Sequence, residues 1–178
     1  MKITLLIQIL TLLVLFAGGI IAWIQLKLLR KQIKAQHDWN RRVSSLQYSF
    51  SSDPQIREVR SKLDKHLGIH VNKTREINLE EIEKLSKETY PHIMTDIQFI
   101  LGRIESMCVA IKNGIVDEQT CKDMLRGIVI QYYRFFRQYI EKTREIRTNP
   151  KIYIYLQHYA QKWENNSLEL RKKTDAKI

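Results

Sequence analysis

The chain has 178 residues, with 30 Lys and Arg against 19 Asp and Glu, 44% hydrophobic residues, 6 Gly, 3 Pro and 2 Cys. So few Pro and Gly among so many large apolar residues exclude a collagenous or wholly disordered chain, and two Cys cannot frame a disulfide-rich secreted scaffold. The formal charge of +11 admits either nucleic acid or a membrane surface as a partner, and the placement of the basic residues decides between them.

Between Thr4 and Leu26 no side chain is charged. At ~1.5 Å per residue a helix of that length reaches roughly 34 Å, enough to cross a hydrocarbon core of about 30 Å with some tilt. Thr4 and Thr11 can bond backbone carbonyls of such a helix, whereas Gln8 prefers a headgroup, a water or a neighbouring helix. Gly18 and Ala22 stand four apart, the spacing of a small-xxx-small packing face. One such pair is also what the ordinary glycine content of membrane helices delivers without any partner.

A cleavable signal peptide is the competing assignment, with Lys2 as its basic end and Ala17, Gly18 and Gly19 as its small residues. The apolar run is too long for that, and it continues through Ile20 to Ile24 into a basic cluster. Residues 1–30 are therefore expected to form an uncleaved transmembrane signal-anchor. Trp23 falls where an interfacial anchor belongs, and Lys27, Arg30, Lys31, Lys34, Arg41 and Arg42 form a basic cluster for the membrane surface. The positive-inside bias then puts the N-terminus outside and the rest of the chain in the cytoplasm. Residues 1–50 carry seven basic side chains against Asp38 alone, a net of +6, and residues 51–178 carry 23 against 18, a net of +5. Most of the excess charge is thus a topology signal, and each juxtamembrane Lys or Arg contributes about 1 kcal/mol at an anionic leaflet.

Residues 31–52 extend the first helix as a basic stalk, ended by the run from Ser49 to Pro54. Residues 53–166 carry the pattern of a small helical bundle. Asp53 and Pro54 make an N-cap and N1 pair, Ile56, Val59, Leu63 and Leu67 recur at helical spacing, and Gly68 stops the helix. Asn78, with Glu81 three places on, starts a second, which Pro91 separates from a third. Ile93, Ile97, Ile100, Leu101, Ile104, Met107, Cys108 and Ile111 form a broad stripe ending at Asn113 and Gly114. Asp117 opens a helix whose stripe runs through Met124, Leu125, Ile128, Tyr132, Phe135, Phe136, Tyr139 and Ile140 to a stop at Asn149 and Pro150. These two are predicted to close a long antiparallel hairpin. Ile152, Tyr155, Leu156, Tyr159, Ala160 and Trp163 form one face of a last helix, and residues 167–178 a basic tail that is frayed from Arg171 on. Lys151 to Tyr155 alone has the composition of a strand, but the helical pattern extends to Trp163 and no second strand is there to pair with, so helix is expected. The expected fold is all-α.

Little in the chain points to chemistry. His66 and His70 stand four apart, but the predicted helix stop lies between them and the glutamate of a zinc-protease helix is missing. Cys108 and Cys121 have no metal-binding spacing and are expected as buried, reduced thiols. Asp117, Glu118 and Asp123 occupy first turns of a helix, where carboxylates cap. No phosphate loop, dinucleotide fingerprint, nucleophile elbow or kinase motif is present. Arg126, Arg134, Arg137, Lys142, Arg144 and Arg147 share a segment with Tyr132, Tyr133, Phe135, Phe136 and Tyr139, a composition that could serve phosphates and stacked bases. Several of those rings are needed for the core, so direct nucleic-acid binding is not expected. No catalytic, cofactor-binding or metal-ligating residue is assigned, and no enzyme activity or cofactor is expected.

Trp39-Asn40-Arg41-Arg42, the run IKNGIVDE from Ile111 to Glu118, Tyr139-Ile140 with Arg144, Asn149-Pro150 and Trp163 resemble an uncharacterised family of small bacterial membrane-anchored helical proteins, grouped as a domain of unknown function. The resemblance covers the anchor and most of residues 35–165. It implies a helical fold and a bacterial inner-membrane location, and no reaction. Two functions follow as expectations. One is a membrane-tethered interaction or scaffold protein, whose cytosolic helices bind a protein partner beside the lipid, as a monomer or a homo-oligomer. The alternative is a membrane effector of anti-phage defence, which impairs the membrane on activation.

Overall fold

A computed structural model describes residues 2–51, 53–71 and 75–175, leaving aside the side chains of residues 2–7, 9, 10, 14 and 166–175. Its described elements are all helical: α1 (Lys2–Leu46), α2 (Pro54–Leu67), α3 (Leu79–Glu88), α4 (Ile93–Lys112), α5 (Glu118–Phe135), α6 (Arg137–Ile146) and α7 (Ile154–Asp175). They divide into two compact units, residues 1–40 and residues 41–178.

The first unit is helix alone. From Thr11 to Asn40 none of its described side chains is buried. Among the described residues one helix, α1 from Thr11 onward, is long and apolar enough to cross a membrane.

The second unit begins with the last turns of α1 and closes around one core. α4 is its centre, with nine buried residues including Ile93, Ile97, Ile100, Leu101 and Ile104, and it packs against α2, α3, α5 and α7. The expected caps are in place. The Asp53 carboxylate accepts from the N–H groups of Gln55 and Ile56 at 2.9 and 3.3 Å, and Gly68 ends α2 in the left-handed region at φ 62°. The Asn78 side chain accepts from Glu81 N–H at 2.8 Å. Gly114, at φ 68°, makes the turn after α4, a conformation an L side chain rarely adopts.

Some features differ from the helical pattern of the sequence. The expected hairpin helices α4 and α5 are both present, but α7 packs against each more extensively than they pack against one another. Its Trp163, with no exposed surface, joins Leu156, Tyr159 and Ala160 in the core. The helix starting at Asp117 also breaks at Phe136, without Pro or Gly. The Ile77 N–H donates to the Phe135 carbonyl at 2.9 Å, taking an acceptor from the helical ladder. Tyr132, Tyr133, Phe135 and Phe136 before and at the break, and Tyr139 and Ile140 after it, are all buried. The stretch from Lys151 expected as the start of the last helix is a turn as far as Tyr153, with Ile152 in it: Asn149 Oδ1 accepts from Lys151 N–H at 3.0 Å, Tyr153 takes φ 54°, and α7 starts at Ile154. The expected frayed tail is helical as far as Asp175, and residues 176–178 lie outside the described residues.

Candidate functional site

Within the second unit, the last turns of α1 are tied to the loop between α4 and α5. The Arg41 guanidinium donates to the Val116 carbonyl at 3.1 Å. Ser45 is fully buried, and its hydroxyl accepts from Asp117 N–H at 2.8 Å while donating to the Arg41 carbonyl at 2.8 Å. Filling both roles of the buried hydroxyl offsets the cost of taking it out of water, and it supplies an acceptor to the Asp117 N–H. One turn further on, Arg103 of α4 donates to the Gln47 carbonyl at 3.1 Å and lies 5.1 Å from the centre of the Tyr48 ring.

The loop in turn organises the start of α5 and reaches α7. The Asp117 carboxylate accepts from both the N–H and the hydroxyl of Thr120 at 2.8 Å, and these bonds hold its carboxyl below the usual range, with Arg42 and Arg41 assisting. Glu118 accepts from Trp163 Nε1 at 3.1 Å and pairs with Lys162 at 2.7 Å. Burial works against its ionisation, but those two partners outweigh it and keep the carboxyl low. Thus Arg41, the run from Ile111 to Glu118 and Trp163, which lie far apart in the chain, meet in one place.

The chain matches a domain of unknown function, DUF4760, over residues 12–163. It belongs to that family. The match starts within the apolar part of α1 and ends at Trp163, so DUF4760 takes in both the helix and the loop that holds its end. No curated protein and no solved structure matches the chain.

The residues assigned to the membrane surface separate into two groups. Trp23 is exposed, with Lys27 Nζ 5.3 Å from its ring centre, and Lys27, Arg30, Lys31 and Lys34 are all exposed. Arg42 is exposed as well, but Arg41 is half-buried and spends its charge on Val116. Ser45 escaped the sequence reading, because one serine in a polar run carries no signal of the loop it meets 72 residues later.

The other candidates are occupied by the fold. His66 stacks on Tyr90 at 4.7 Å, and His70 Nε2 faces the Arg60 guanidinium at 2.9 Å. Among the described residues no group of three or more His, Cys, Asp or Glu is placed to hold a metal ion. Cys108 and Cys121 are buried and unbridged; burial pushes both thiols up, and a hydrogen bond with Ser45 partly offsets this at Cys121. The rings of Tyr132, Tyr133, Phe135, Phe136 and Tyr139 are buried, while Arg134 pairs with Glu164 and Arg137 with Glu76 at 2.7 Å. A groove of about 550 Å³ opens along α5 between Arg126, Gly127, Gln131 and Arg134. A smaller one of about 190 Å³ is lined by Leu79, Met94, Tyr139 and Ile146, with Glu83 and Arg147 at its edge.

Proposed function

We propose that this DUF4760 protein is a membrane-tethered helical interaction protein. The apolar part of α1 crosses the bacterial inner membrane once, with the N-terminus outside, and the helical domain meets its protein partner on the cytoplasmic side. One observation carries this reading: α1 is a single unbroken helix that starts in the apolar stretch and ends hydrogen-bonded into the domain through Arg41 and Ser45. A helix whose last turns belong to the domain's own fold suits a protein whose position is part of its work. The exposed cluster of Lys27, Arg30, Lys31 and Lys34 directly after the apolar stretch supports the orientation. Interactions of the domain, rather than chemistry, suit a molecule whose buried thiols are pushed up and whose His66 and His70 are engaged by neighbours.

The test compares the full chain with a form lacking residues 2–30. The full chain should stay in carbonate-washed membranes and the shortened form should not, and green fluorescent protein fused to the C-terminus should fluoresce. A full chain recovered in the soluble fraction would overturn the tether. Expressed in cells, both forms should bind the same partner without arresting growth. Membrane depolarisation and growth arrest with the full chain alone would instead favour the membrane-effector function.

A further inference from the structure

Where a helix is apolar on every side, its few polar side chains report which face meets protein. Between Gln8 and Leu26 the polar side chains, the indole aside, are Gln8, Thr11 and Gln25. Stepping alternately by three and four from Gln8 gives Thr11, Leu15, Gly18, Ala22, Gln25, Leu29, Gln32, Gln36 and Trp39. This series has the 3.5-residue period that keeps one seam against a partner helix. It takes in all three polar side chains of the apolar stretch, the Gly18 and Ala22 pair, and all four glutamines of α1. It contains no charge. At about 100° per residue, Lys27, Arg30, Lys31 and Lys34 all lie on the opposite half of the helix.

Every member of the series is exposed, and a Cβ added at Gly18 would meet nothing within 4 Å among the described residues. A groove of about 450 Å³ is centred on the series, lined by Ala22, Gln25, Leu29 and Gln32 with Leu26 and Leu28 at its sides.

We propose that two copies of the chain pair in parallel along this series, from Gln8 to Trp39. The pairing rests on the reading that α1 crosses the membrane, because two copies inserted with one topology run in the same direction. Each glutamine then meets its counterpart, and an amide offers both a donor and an acceptor to its like. The basic halves of the two helices face away from each other, so the seam brings no like charges together. Lipid is a poor occupant of the upper part. α1 is unbroken, so at ~1.5 Å per residue Trp39 stands roughly 20 Å beyond Leu26, outside the hydrocarbon.

Cysteine scanning of the full chain in carbonate-washed membranes tests the proposal. L29C, Q32C and Q36C should form disulfide-linked dimers under mild oxidation at least about tenfold more efficiently than R30C, K31C and K34C, following the 3.5-residue period. The unsubstituted chain, whose Cys108 and Cys121 are buried, should give none. Adding G18I or A22I to Q32C should cut the dimer several-fold, because a bulky side chain holds the helices apart. Equal cross-linking at all six positions, a maximum at Lys31 or Lys34, or no dimer would overturn the pairing while leaving the tether standing. A chain absent from the washed membranes would overturn the tether and the pairing with it.

Discussion

α1 and α4 are both rich in large aliphatic side chains, yet they meet opposite surroundings. In α4, Asp96, Arg103, Glu105 and Lys112 interrupt the apolar residues along the helix, and nine of its residues are buried as it packs against four neighbouring helices. In α1 no charge interrupts Thr4 to Leu26, and Leu12, Leu15 and Phe16 each keep about 70% of their surface exposed. Hydrophobic content alone therefore does not separate a core helix from a membrane helix. The distribution of charge around the helix does, because an amphipathic stripe needs a protein partner whereas an all-round apolar surface needs an apolar solvent.

Substitutions in the two regions should dissociate the two properties. The largest effect is expected from Trp163→Ala, which empties a fully buried site and removes the indole donor to Glu118; a loss of about 3–5 kcal/mol of domain stability should appear as a lowered urea midpoint by circular dichroism. Membrane retention of that variant should not change. Leu15→Arg should do the reverse. A charge near the middle of the apolar stretch costs about 2.5–3.5 kcal/mol of insertion, so the membrane-bound fraction should fall with the domain transition preserved. Loss of both properties in either variant would mean that the regions are not separable in this way.

Ser45→Ala probes the place where the end of α1 enters the domain. It leaves the Asp117 N–H buried without its acceptor and should cost about 1–3 kcal/mol in the same urea titration. Ser45→Thr, which retains the hydroxyl, should recover part of that loss. A neutral Ser45→Ala would show that water serves Asp117 equally well.

The features readable from the sequence were those set within a few residues. Asp53 with Pro54, Asn78 with Glu81 and Asn113 with Gly114 bound their helices because caps act on neighbouring backbone groups. The anchor-length stretch was equally plain, since length and absence of charge are local properties. What stayed hidden depends on groups arriving from far along the chain. The break at Phe136 follows from Ile77, the role of Ser45 from Asp117, and the start of α7 from Glu105. Arg41 shows the same limit from another side: its charge fits a membrane-surface cluster, and only the fold places Val116 within its reach.

The smallest expected effect is a pH slope at Glu105, again confined to the domain. Its carboxylate accepts from Tyr155 N–H at 3.2 Å and Leu156 N–H at 2.6 Å, capping the start of α7. Burial pushes its pKa up, and these two bonds together with the Arg144 charge only partly counter it. The folded chain therefore holds this proton more tightly than the unfolded chain does. Stability from this group is fully present below its ordinary carboxyl range and declines as pH rises through the raised folded value. Asp117 and Glu118 act with the opposite sign, since their lowered carboxyls lend stability at higher pH that is lost on acidification. The whole-protein profile mixes these terms, so the informative quantity is the difference between the wild-type chain and Glu105→Gln. Gln keeps one acceptor for the α7 N–H groups and cannot ionise. Its urea midpoint relative to wild type should rise as pH increases from the acid side towards neutrality, and a difference independent of pH would mean that Glu105 titrates alike in the folded and unfolded chains.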